Sequence, residues 1–257
     1  MSSSSSSKNL LRLYGYYQSG CSYRIRIALN LANVPYEDIP VNLLNGEQKS
    51  EKYEKLTNGQ NLVPVLEVVD EETKKTKFTM SQSLTILEFL SEENICPGLL
   101  PETSDIASRQ KCREICNIVA CDTQPLQNLR VQKHIREVWE KDPIPWAKLV
   151  VERGYQACEN LLAAIETSNS EAGGPHPGMK KTKYCFSDQK PTMADICLIA
   201  QWHNAIRFGI DVETQYPRVF EKLQNLIGFE AVKKAHPFNQ VDCPEEMKKD
   251  GWWTTRE

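Results

Sequence analysis

Two kinds of hydrophobic spacing divide this chain, and the place where one gives way to the other limits the folds open to it. Over residues 10–93 short apolar runs alternate with helix-period stripes, whereas past residue 105 only helix periods recur. LLRLYGY (10–16) is short, apolar and aromatic, as a strand is. SYRIRIALNLANV (22–34) sets Ile25, Ala28, Leu29 and Ala32 at helical spacing, with Arg24 and Arg26 off that stripe. Pro35 ends the helix, and VPYEDIPVNL (34–43) holds a second short strand. LVPVLEVVD (62–70) is β-branched and alternating, and KFTM (77–80) pairs with it across the charged turn DEETKKT. SQSLTILEFLSEE (81–93) is a helix with Leu84, Leu87 and Leu90 on one face. The order βαβ, hairpin, helix predicts a compact α/β domain. Residues 105–165 and 192–236 predict a larger all-helical domain, with the boundary near 91–105. The resulting division is a polar tail at 1–8, an α/β domain at 9–93, a helical domain at 104–246 and a C-terminal tail at 247–257. The stretch SNSEAGGPHPGMKKTK (168–183) is polar and rich in Gly, Pro and Lys, and reads as an exposed, mobile loop.

Composition removes several classes of function. A net charge of −3 and a pI near 5.9 argue against a nucleic-acid partner, which calls for a basic face. No apolar stretch approaches the roughly 18 to 20 residues that span a bilayer, so no membrane partner is expected. MSSSSSSK lacks the apolar core of a secretory signal. Without such a signal, nine cysteines point to thiols kept reduced in a cytoplasmic setting, and an odd number cannot all pair within one chain. Cys112, Cys116 and Cys121 follow helical spacing with no histidine nearby, which favours core or helix-surface thiols over metal ligands. No metal is expected.

The chemistry concentrates at the first strand-to-helix turn, Ser19-Gly20-Cys21-Ser22. A thiol near a helix N-terminus can have a depressed pKa, yet a single cysteine is more often a small buried hydrophobe. Ser19 suits a helix cap. Thr192 and Asp195 in TMAD (192–195) form a capping box worth about 1 kcal/mol, ahead of a buried stripe of Ile196, Ile199 and Ile206. Trp252-Trp253 has no explanation in the sequence.

Four segments, SGCSYRIRIAL (19–29), LVPVL (62–66), QSLTILEFL (82–90) and TMADICL (192–198), resemble in order and spacing the soluble glutathione transferases. QPLQNL (124–129) and NAIRF (204–208) narrow the resemblance to the zeta class, over roughly residues 10 to 245. It implies a thioredoxin-like, glutathione-binding N-terminal domain joined to an all-α, substrate-binding C-terminal domain, assembled as a homodimer. Glutathione is the implied cofactor and a small molecule the implied substrate. The implied activity is glutathione-dependent cis–trans isomerisation of maleylacetoacetate to fumarylacetoacetate, a step of tyrosine and phenylalanine catabolism. Two alternatives stay open: a transferase acting on α-halo acids or other electrophiles, and a non-catalytic binding module of the same fold.

Residue roles follow from the same resemblance. Where thiol–disulfide enzymes carry C-x-x-C, this turn begins with Ser19, whose hydroxyl would donate to the sulfur of glutathione and favour its thiolate. A free thiol has a pKa of about 8.5. One hydrogen bond to a charged group contributes roughly 1.5–3 kcal/mol, enough to lower that pKa by about one or two units. Cys21 joins the catalytic cluster as an accessory, and Arg207 meets a substrate carboxylate with its planar fork. Gly20 departs from the class, which usually has a second serine there. Val63 and Pro64 supply a cis peptide that presents the Val63 backbone to the cysteinyl part of glutathione. Gln82 and Ser83 start a helix suited to the γ-glutamyl carboxylate, and Gln48 adds a further contact. Gln124, Asn128, Leu129 and Arg130, with Arg207, make up the implied substrate-binding set.

Overall fold

A computed structural model describes residues 9–168 and 179–248. The serine-rich start, Trp252-Trp253 and residues 169–178 of the polar stretch lie outside the described residues. The chain forms two units, one built from residues up to Cys96 together with those from Glu230 onward, the other from Pro97 to Phe229.

The first unit is built on a four-stranded sheet in the order β2-β1-β3-β4. β1 (Asn9–Gly15) leads through α1 (Gly20–Leu31) to β2 (Tyr36–Pro40), which lies parallel to it. α2 (Glu51–Leu56) follows, then the antiparallel hairpin of β3 (Val65–Asp70) and β4 (Thr76–Ser81), then α3 (Ser83–Glu92). β3 also pairs antiparallel with β1, setting Leu13 opposite Leu66 and Leu11 opposite Val68. All four of these side chains are buried, so the period-two spacing seen in sequence marks a true core face. On the other face Val41, Tyr53 and Val65 form a second cluster that takes in Tyr14 and Leu56.

Three sequence expectations change here. Arg24 and Arg26 fall off the apolar stripe of α1 in sequence, yet both are 1% exposed. Residues two apart on a helix point about 200° away from each other, so their burial means that α1 is covered on two sides. α3 packs on one side, and α10 (Glu230–Ala235) packs on α1 as well. On α3 the buried face is Ser83, Ile86, Leu87 and Leu90, with Leu84 only half-buried. Ser168 and Met179, at the two described edges of the polar stretch, are buried rather than exposed.

The second unit is helical. α4 (Ile106–Asn117) widens into a π turn over Ile118–Thr123 and a short 3₁₀ turn over Gln124–Leu126. α5 (Leu129–Glu137), α6 (Ile144–Thr167), α7 (Met193–Arg207), α8 (Val212–Gln215) and α9 (Pro217–Ile227) complete it. α7 is buried from Met193 through Ala205 and packs on α4, α9 and the π turn. Its start is the expected capping box, the Asp195 carboxylate accepting from the Thr192 N–H (2.8 Å) and hydroxyl (2.7 Å). The Cys185 N–H donates to the other oxygen of Asp195 at 2.8 Å. Ile196 and Ile199 are buried, but Ile206 is 43% exposed, because the last turn of α7 leaves the core after Ala205. Cys112 and Cys116 are core residues of α4, and burial pushes the Cys116 thiol well up. Cys121 is exposed.

Candidate active site

Gly15 ends β1, and α1 begins at Gly20. The Ser19 N–H donates to the Tyr16 carbonyl at 3.0 Å, closing a β-turn over Tyr16–Ser19. Ser19 then caps α1 from an extended backbone, its Oγ accepting the Ser22 N–H at 3.2 Å and its carbonyl accepting the Tyr23 N–H at 2.9 Å. The cap and an outward donor are therefore the same device. Because the helix occupies the acceptor side of the hydroxyl, its proton is left to donate to a group beyond the turn.

A second serine stands at the start of α3, as its first residue and not as its cap. Gln82 precedes it with φ 70, and the buried Ser83 hydroxyl accepts from Arg24 Nη1 at 2.9 Å. The Ser83 proton is again the free donor, at a helix N-terminus whose first-turn N–H groups and dipole favour an anion. The same Arg24 Nη1 lies 3.8 Å from the Sγ of the half-buried Cys21. One buried guanidinium thus joins the two stretches from which Cys21 and Ser83 come. Arg24 is a residue of this candidate site that sequence reasoning missed. Its signal was the i, i+3 spacing from Cys21, which places both on one helix face.

The remaining expected residues of this unit are placed as follows. The Val63–Pro64 peptide is cis, Pro64 is buried, and Val63 packs with Tyr16, Tyr17 and Cys243. Gln48 donates from Nε2 to the Leu43 carbonyl at 3.4 Å, while its buried Oε1 has no hydrogen-bond partner among the described residues. Gln82 is exposed, and its Nε2 donates to Gln60 Oε1 at 3.3 Å, an oxygen that also accepts from Ser81 Oγ at 3.1 Å. Gln60 was not singled out by its sequence context. Two hydroxyl donors, a buried cation and an orphan acceptor suit a peptide that carries a thiolate, a carboxylate and amide N–H groups. Glutathione is such a peptide, and the residues fit it.

In the second unit, Gln124 opens the 3₁₀ turn directly after the π turn. Asn128 caps α5 by accepting the Val131 N–H at 3.3 Å, and Leu129 and Arg130 follow as exposed residues of its first turn. Arg207, exposed in the last turn of α7, donates from Nη1 to Asn204 Oδ1 at 3.3 Å and lies 5.5 Å from the Phe208 ring centre. The π turn packs on α7 and on α6, so the Gln124 segment is held by the helix that carries Arg207.

Residues 18–93 match the family described as "Glutathione S-transferase, N-terminal domain". The chain is 37% identical over 238 residues to the maleylacetoacetate isomerase of Rattus norvegicus, covering 92% of this chain and 96% of the relative. A bacterial zeta-class maleyl pyruvate isomerase superposes with a TM-score of 0.74 at 33% identity, covering 91% of this chain and all of that one. The maleylacetoacetate isomerase of Anaeromyxobacter dehalogenans, solved with dicarboxyethyl glutathione and citrate in its active site, gives a TM-score of 0.73 at 33% identity, covering 93% and 99% of the two chains.

Proposed function

The chain belongs to the zeta-class glutathione transferases, and from that premise we propose that it is a glutathione-dependent maleylacetoacetate isomerase, forming fumarylacetoacetate in the breakdown of tyrosine and phenylalanine. The observation that carries this reading is the serine at the head of the turn with its acceptor side occupied by the Ser22 N–H at 3.2 Å. A cysteine there would provide its own sulfur. A serine held in this way donates to a sulfur that arrives with the ligand.

The chemistry supplied by glutathione when bound is reversible addition of its thiolate to a conjugated cis double bond, which allows rotation before elimination. The chain's part is positioning and electrostatics. Ser19 holds the sulfur as thiolate through its O–H. Ser83, with the Arg24 cation behind it, takes the γ-glutamyl carboxylate. The Val63 backbone orients the cysteinyl unit, Gln82 borders the carboxylate site, and the unpartnered Gln48 Oε1 accepts an N–H of the peptide. Arg207 pairs with a carboxylate of the substrate, and Gln124, Asn128, Leu129 and Arg130 line its path. Cys21 is an accessory at the edge of the site.

A two-fold homodimer and a cytoplasmic location belong to the same reading. Supporting the second, none of the nine cysteines forms a disulfide. No described helix is long and apolar enough to cross a membrane.

The test is conversion of maleylacetone to its trans isomer by the purified protein. Glutathione should be required, and S-methylglutathione, which keeps every backbone contact but blocks the sulfur, should compete without supporting turnover. Turnover supported by S-methylglutathione would overturn the reading.

A further inference from the structure

The turn that carries Ser19 is held by the far end of the chain. Both backbone polar groups of Tyr17, the second residue of the Tyr16–Ser19 turn, are engaged by side chains. The Tyr17 N–H donates to Asp242 Oδ2 at 2.8 Å, and the Tyr17 carbonyl accepts from Arg26 Nη2 at 3.0 Å. Arg26 Nη1 adds a longer contact to the Tyr16 carbonyl at 3.5 Å, and Arg26 Nε donates to the Ala235 carbonyl at 3.1 Å. The N–H and the carbonyl of one residue, which belong to the peptides on either side of it, are thus both gripped by charged side chains, one from α1 and one from the C-terminal segment. Hydrogen bonds to charged groups are about twice as strong as neutral ones.

Packing runs the same way. Cys243 is buried against the Tyr16 and Tyr17 rings, with Phe238, Met247 and Val63 around them. Tyr23 and Asn30 of α1 donate to the carbonyls of Val232 and Ala231, fixing the approach of the segment. The charged groups that act on Arg26 are Asp242 and Asp38 of β2.

Resting on the isomerase reading above, we propose that Asp242 and Arg26 form a two-sided backbone clamp that sets the Ser19 hydroxyl against the sulfur of glutathione, which makes Asp242 a positioning residue for the reaction. Loosening the clamp leaves the carboxylate site at Ser83 in place and degrades only the hydrogen bond to sulfur. The bound thiol then ionises less readily.

The test follows the ultraviolet absorbance of the thiolate of bound glutathione across pH, alongside the isomerase rate, in wild type, Asp242→Ala, Asp242→Asn and Val241→Ala. Asp242→Ala should raise the bound thiol pKa by about one unit, and so cut the neutral-pH rate about tenfold with recovery at alkaline pH. Glutathione affinity, measured by calorimetry, should move far less. Asp242→Asn keeps an acceptor oxygen but loses the charge, and should shift the pKa in the same direction by less; it carries the test should the alanine variant not fold. Val241 is 75% exposed and its replacement should change nothing. A folded Asp242 variant with the wild-type thiol pKa, or a loss equal at every pH, overturns the clamp. A wild-type thiol that titrates like free glutathione overturns the Ser19 reading itself.

Discussion

Ser19 and Cys21 stand two residues apart, and their surroundings separate their roles. The Ser19 oxygen is fixed by the helix it caps, whereas Cys21 sits half-buried with a guanidinium 3.8 Å away. Ser19→Ala should lower the neutral-pH rate roughly ten- to thirtyfold, the loss of thiolate when a pKa lowered by about one or two units returns to about 8.5. Cys21→Ala should keep most of the activity, and comparable losses in the two variants would contradict the assignment. Arg24 belongs to the binding half of the site. Arg24→Met removes the cation behind Ser83 and should weaken glutathione at least about tenfold by calorimetry. Arg24→Lys, which keeps the charge, should recover part of that affinity. Ser19 and Ser83 were legible in the sequence because a helix start announces itself by its residue types. Arg24 was not, because a periodic stripe identifies the buried face of a helix covered on one side, and α1 is covered on two. Nor was a distant partner visible for either arginine, since Ser83 lies 59 residues from Arg24 and Ala235 lies 209 residues from Arg26.

Two elements shape what the side chains can do. The π turn at Ile118–Thr123 delivers Gln124, and Gly154 in the middle of α6 lets it approach. A Cβ at Gly154 would overlap the Thr123 side chain. In an open helix Gly→Ala gains about 1 kcal/mol, whereas overpacking a buried contact costs about 1–3 kcal/mol. Overlap wins here, so Gly154→Ala should lower the denaturation midpoint, and adding Thr123→Ala should restore it. A stabilised single variant would show that the turn yields freely. The β3–β4 hairpin responds to acid. The Asp70 carboxylate accepts from the Glu72 and Thr73 N–H groups and the Thr73 hydroxyl, and pairs with Lys77 at 3.2 Å. The Thr73 N–H and hydroxyl, with Lys77, hold its pKa down to about 2. A depressed carboxylate stabilises the fold above its unfolded pKa of about 3.9 and loses that contribution as pH falls toward 2. Asp70→Asn should therefore flatten the acid limb of stability between those values while leaving neutral-pH catalysis intact. The hairpin was legible from its two runs and charged turn, but the partners of its charges were not, since they look alike until a register pairs them; a π turn leaves no spacing of its own in so short a stretch.

At the level of the molecule, the chain folds into two units whose order follows the change of hydrophobic spacing, with the break between Cys96 and Pro97. Residues from Glu230 onward return to the first unit. Helix period marked that segment as helical, but a period does not say which neighbour a helix chooses. Its partners, α1 and the Tyr16–Tyr17 turn, lie some two hundred residues away in sequence and become visible only once folded. The second unit holds the buried thiols of Cys116, Cys158 and Cys185, whose burial pushes them up, toward the protonated form. In the proposed reaction the reactive sulfur is that of glutathione, held at Ser19 and released unchanged. The measurement that bears most directly on this is the number of maleylacetone molecules isomerised per glutathione present, with glutathione limiting and its thiol assayed before and after. The expected result is many turnovers per glutathione with the thiol fully recovered. One product formed for each glutathione lost would make the protein a transferase, and turnover independent of glutathione would remove the sulfur from the mechanism altogether.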